Sequence, residues 1–237
     1  MINLIRSNWT SQDFVDFVDC LKSEAECTYQ QFSSSLVPDS SDMLGIRIPN
    51  LRLMAKEIAL GNPREFLDCC DDRYFECTMV AGFVIGLLKC DFDETLLRIE
   101  GFSQRITNWS VCDSVCVSLK CFRKNREQGL RYLRKFYDGS DFQKRFAIVM
   151  LLDHYMTAEY LPEIFYAVTN VRGGYYVKMA VAWILSTCYV HFTDETNAFF
   201  DSCALDKFTF NKALQKCYES RRISNDNKKK LILLKKN

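Results

Sequence analysis

Apolar residues recur along this chain at helical rather than strand spacing, and the pattern itself repeats. Five segments align on one aromatic residue each, at Phe75, Trp109, Phe142, Tyr176 and Phe208, with intervals of 34, 33, 34 and 32 residues. Each aromatic opens a run of small or apolar residues three or four apart, such as Phe142, Phe146, Val149 and Met150, or Tyr176, Met179, Ala180 and Trp183. Side chains at that spacing share one face of a helix. The period suits one helical hairpin, two helices and two loops, and a repeated hairpin buries its apolar face against the next copy.

Second helices are predicted between these runs. Asp91 to Ile106 places Phe92, Leu96, Ile99 and Phe102 on one face, Glu127 to Tyr137 does so with Leu130, Leu133 and Phe136, and Ala158 to Val171 is a third. Asn108, Asp138-Gly139-Ser140 and Arg172-Gly173-Gly174 supply cap and turn residues at the breaks. In the N-terminal third, Ser11 to Lys22, Ala25 to Ser34 and Pro49 to Ala59 read as helices, with Pro49 in a first turn where its missing N–H has no helical partner. The predicted fold is all-α: a curved solenoid of HEAT-like antiparallel helix pairs, forming one domain over residues 1–237.

Composition agrees. Of 237 residues 48% are hydrophobic, which excludes a disordered chain, and nine Gly with four Pro are too few for the many turns of an all-β protein. The longest apolar run, Met79 to Leu88, falls well short of a membrane span. The segment Met1 to Arg6 does not lead into a signal-type apolar region, so a cytoplasmic protein with no membrane association is expected. Twelve Cys lie scattered among apolar neighbours, with no C-x-x-C pair and only His154 and His191 as imidazoles. Buried thiols in a reducing compartment are expected, without a disulfide framework or a zinc site.

Charge adds one asymmetry. The net charge is +1, yet Lys207 to Asn237 carries ten Lys or Arg against Glu219 and Asp226, a net of +8 that leaves −7 for the rest. A basic end is compatible with phosphate contact, while 228–237 alone reads as a solvated, flexible basic tail.

Three successive repeats offer candidate chemistry. Trp109 and Asp113 are four apart and share a helical face; Arg145 lies three after Phe142, and Trp183 seven after Tyr176. Each has a plain structural alternative. The indoles could fill the core, Asp113 could be an exposed helix residue, and Arg145 could pair with Asp141 one turn back.

At these residues the chain resembles the AlkD-type DNA alkylation repair glycosylases, and the resemblance spans most of its length. Leu44-Gly45-Ile46-Arg47-Ile48-Pro49 with Leu51-Arg52, Asn108-Trp109-Ser110-Val111-Cys112-Asp113, Phe142 to Ile148 and Tyr176 to Trp183 match four family segments in order. The resemblance implies hydrolysis of the N-glycosidic bond of positively charged N7-alkylguanine and N3-alkyladenine in duplex DNA. It also implies that no metal or organic cofactor is needed; a monomer is expected. Catalytic roles would fall to Asp113, Trp109 and Trp183. The carboxylate would stabilise positive charge developing on the deoxyribose and orient the attacking water, and the indole faces would cradle the cationic nucleotide. Arg145 would hold a backbone phosphate. Arg47, Lys144, Lys178 and Lys212 are further candidates for DNA contact, with Arg52, Arg221 and Arg222 also available. Arg47 stands where the best-known family type carries Gln, which would alter a contact near the site. The alternative expectation is a HEAT-like module that binds DNA structure or a protein partner without catalysis.

Overall fold

The structure is a computed structural model that describes residues 3–37 and 42–235. It is all-helical, with no strand among the described residues. The packing separates into two compact units, Met1–Asn125 and Arg126–Asn237.

The first unit holds α1 (Ser11–Ser23), α2 (Cys27–Leu36), α3 (Ile48–Leu60), α4 (Pro63–Cys69), α5 (Phe75–Ile85), α6 (Phe92–Ser103) and α7 (Trp109–Cys116). Helix α1 starts at a capping box in which the Thr10 hydroxyl accepts from Asp13 N and the Asp13 side chain accepts from Thr10 N. Helices α3, α5 and α7 pack in a row, each against the next. The middle member is buried on every side: Glu76 through Ile85 are all buried, as expected of a helix enclosed by neighbours. The apolar run around Met79 is therefore a core helix. Its flanking helices show one buried stripe, such as Leu51, Ala55 and Ile58 on α3.

The second unit holds α8 (Arg126–Leu133), α9 (Asp141–His154), α10 (Leu161–Asn170), α11 (Tyr175–His191), α12 (Thr193–Ser202), α13 (Lys207–Glu219) and α14 (Asn225–Leu233). A second row runs α9, α11, α13, with α11 enclosed between the other two. Ser140 caps α9 in a second capping box with Gln143. Gly174 N, just before α11, donates to the Asp141 carboxylate at 2.8 Å, tying the starts of adjacent helices together. Each unit is thus a solenoid-like stack. No helix among the described residues is long and apolar enough to cross a membrane.

The five aromatic-led helices begin where the repeat places them: Phe75 and Trp109 are first residues, and Phe142, Tyr176 and Phe208 second residues, of α5, α7, α9, α11 and α13. Two predicted helices are shorter than expected. The segment after Leu133 tightens into a 3-10 turn over Arg134–Asp138, and Ala158–Tyr160 forms another before Pro162 lets α10 begin. Lys228 to Leu233, expected in a flexible tail, lie in α14, where Leu231 is buried and anchors the helix. Residues 236 and 237 of that tail lie outside the described residues.

Candidate functional site

In the first unit, α7 presents Trp109 and Asp113 one turn apart on one face. Asn108, itself buried, fixes the start of the helix by accepting from Val111 N at 2.9 Å. Asp113 is partly exposed, while Val111, Cys112, Val115 and Cys116 around it are buried. Cys112 and Cys116 are thus packing residues that seat the helix. The indole of Trp109 is partly exposed and held in place, because Nε1–H donates to the Leu36 carbonyl at 3.1 Å, at the C-terminal end of α2.

The far end of α7 is held by Arg52 from α3. Its Nη1 donates to Ser118 Oγ at 2.6 Å and its Nη2 to the Ser114 carbonyl at 2.9 Å, and the guanidinium lies 4.0 Å from the centroid of the Phe83 ring. A cation on the last carbonyls of a helix satisfies acceptors that have no helical donor. Partial burial depresses the Arg52 pKa from its ordinary value. Arg52 is therefore committed to holding α7 in place, a role that its charge and spacing alone do not announce.

A second device lies behind these helices. Glu76 is fully buried at the start of α5, and its carboxylate accepts from the backbone N–H groups of Leu44, Gly45 and Ile46 at 3.0, 2.8 and 3.2 Å. Three amides converging on one carboxylate offset the desolvation of its charge. Gly45 takes φ +94° there, and its backbone packs against Gln30 so closely that a Cβ could not fit. The segment Leu44 to Pro49 is thus an anchored turn leading into α3. Arg47, one step on, is exposed and paired with Glu26, its Nη2 lying 2.9 Å from Oε2, and it covers the Tyr29 ring at 4.9 Å. The hydrogen bond from Arg47 holds the Glu26 carboxyl below its usual range.

In the second unit the candidates part company. Trp183 is 36% exposed on α11, between buried Ala182 and Ile184. It shares a partly exposed strip with Tyr176 and Met179. Arg145 is 6% exposed, and its Nη1 donates to the Tyr176 carbonyl at 2.7 Å. Such a guanidinium ties α9 to α11, and a phosphate could reach it only through a small exposed edge. Lys144 is partly exposed near the start of α9. Lys178 pairs with Asp206 at 3.3 Å and lies 5.7 Å from the Phe208 ring, while Lys212 lies 5.9 Å from the same ring and donates to Gln215 at 2.9 Å. Around them Phe142 and Tyr176 (5.4 Å) and Tyr175 and Phe208 (6.2 Å) form a chain of rings across the starts of α9, α11 and α13. Arg221 and Arg222 are exposed beyond α13.

Among the described residues no group of three His, Cys, Asp or Glu side chains is placed to hold a metal ion. The chemistry of α7 is that of a carboxylate beside a fixed aromatic face, which suits a ligand or transition state carrying positive charge.

An all-helical scaffold of stacked helices is the class that the fold defines. The comparison with known families is more specific: the model for the DNA alkylation repair enzyme family matches residues 19–217. The chain belongs to that family, and with it to enzymes whose substrate is DNA. The match runs from α1 to α13 and includes every segment that carries the sequence resemblance. No curated protein and no solved structure gives a significant match.

Proposed function

We propose that this chain is a DNA glycosylase that hydrolyses the N-glycosidic bond of positively charged alkylated bases in duplex DNA, with N7-alkylguanine and N3-alkyladenine as substrates. The observation that carries the reading is the pairing on α7 of a partly exposed carboxylate, Asp113, with an indole held by its own N–H, Trp109. Alkylation has already made such a base a good leaving group. What remains is positive charge developing on the deoxyribose, and a preorganised carboxylate stabilises that charge without help from a metal. Asp113 also accepts the proton of the attacking water or orients it. The face of Trp109 holds the cationic nucleotide. Lys144, Lys178, Lys212 and Arg47 supply backbone phosphate contacts in this reading, and affinity accordingly falls as salt rises. Arg145 serves mainly by fixing α9 to α11 through the Tyr176 carbonyl.

The second reading is a HEAT-like module that binds DNA structure or a protein partner without excising a base. The two separate in one assay, release of 7-methylguanine from methylated duplex DNA under single-turnover conditions with binding measured alongside. Release supports the glycosylase. Binding without release supports the module.

A further inference from the structure

Helices α13 and α14 enclose a groove of about 740 Å³ that, Lys212 at its edge apart, the proposed function does not use. Its apolar lining comes from Leu214 and Leu231, which are buried, and from Phe208, Tyr218 and Ile232, which are 39%, 52% and 56% exposed. Lys207, Lys212 and Lys235 also line it, with Asn211 and Gln215, and among the described residues no carboxylate side chain does. Lys228 adds a cation 5.7 Å from the Tyr218 ring. The surrounding stretch from Lys207 onward is the part of the chain with a net charge of +8.

Large apolar side chains left this exposed in one cluster mark a surface that something covers. The groove is of the size that buries a few anchoring side chains, and its lysines require an occupant carrying negative charge. Nucleic acid meets the second condition and not the first. Phosphates gain nothing from Leu214, Leu231 and Ile232, and base-stacking surfaces are aromatic platforms rather than aliphatic troughs. An amphipathic helix meets both, with apolar side chains at i, i+3 or i+4, and i+7 seated between α13 and α14 and acidic residues flanking them.

We propose that the α13–α14 groove is a docking site for an acidic amphipathic helix of a partner protein, separate from the site on α7. The test is selection of a displayed library of amphipathic helices, randomised outside the apolar anchors, on the full chain, with counter-selection on Ile232→Glu. Ile232 is well exposed, so the variant should keep the wild-type Tm and its release of methylated bases. Tyr218→Ser is the second variant should the first not fold. The expected result is enrichment of Asp and Glu beside the anchors, with the selected peptides binding the variant about tenfold or more weakly than the wild type. The proposal is overturned by no enrichment above the counter-selection, by enrichment of neutral or basic sequences, or if single-stranded or duplex oligonucleotide is what Ile232→Glu ceases to bind.

Discussion

The indole N–H of Trp109 donates to the Leu36 carbonyl oxygen across 73 residues of chain, at 3.1 Å. This bond orients the ring at the start of α7 and ties that helix to the end of α2. Trp109→Phe keeps an aromatic face and removes the donor. It should lower stability by about 1 kcal/mol and slow base release while duplex binding changes little. A variant with wild-type Tm and wild-type release would show that the bond does not position the ring.

The seat of α7 depends on Gly82. A Cβ there would fall inside contact distance of Val115 on α7 and Phe102 on α6. Gly82→Ala should therefore destabilise the first unit by about 1–3 kcal/mol, as overpacking does, despite the higher helix propensity of Ala. The check is thermal or urea unfolding, and a gain in stability would mean that α5 and α7 are less closely packed than described.

Glu76 holds the turn before α3 through three backbone N–H groups. Glu76→Gln is nearly isosteric, but it removes the charge and sets an amide donor against backbone donors. A loss of about 1.5–3 kcal/mol is expected, read as a lower urea midpoint. A midpoint within error of the wild type contradicts the anchoring role.

Burial raises the thiols of Cys188 and Cys217 to about 12, from an ordinary value of 9.0. At pH 8 about one in ten thousand of either is a thiolate. Exposed Cys27 should take up iodoacetamide first, with Cys188 and Cys217 reacting only after unfolding. The sign for stability follows. A thiol raised in the fold contributes fully below about 9, and that contribution erodes as pH climbs toward 12. Peptide mass mapping after labelling of the native chain decides it, and early modification of Cys188 or Cys217 would contradict the packing of α11 and α13.

Much of this was legible in the sequence for a physical reason. The starts at Phe75, Trp109, Phe142, Tyr176 and Phe208 recur because each helix in a row buries the same face against the next. Helix α4 was not legible, since its seven residues are too few to show a period, and α12 has only two buried residues, Thr196 and Phe200. The role of Glu76 left no trace because its partners are backbone amides 30 to 32 residues away, which carry no side-chain signal. Arg145 misleads in the opposite direction. A guanidinium reads as a surface group, and only the packing of α9 against α11 shows it nearly buried on the Tyr176 carbonyl. Trp109 and Asp113 were legible as a pair, but not the distant carbonyl that fixes the ring.

The central claim is that the Asp113 carboxylate stabilises the sugar cation. Asp113→Asn preserves shape and removes the charge, and loss of such a preorganised electrostatic contact lowers the rate by about 10²–10³. Binding should change far less, because backbone contacts supply most of the affinity for DNA. The most direct measurement is single-turnover release of 7-methylguanine from methylated duplex DNA by the wild type and Asp113→Asn, with duplex affinity measured on the same preparations. The account predicts a fall of about 10²–10³ in release at nearly constant affinity, and release by Asp113→Asn at the wild-type rate would contradict it.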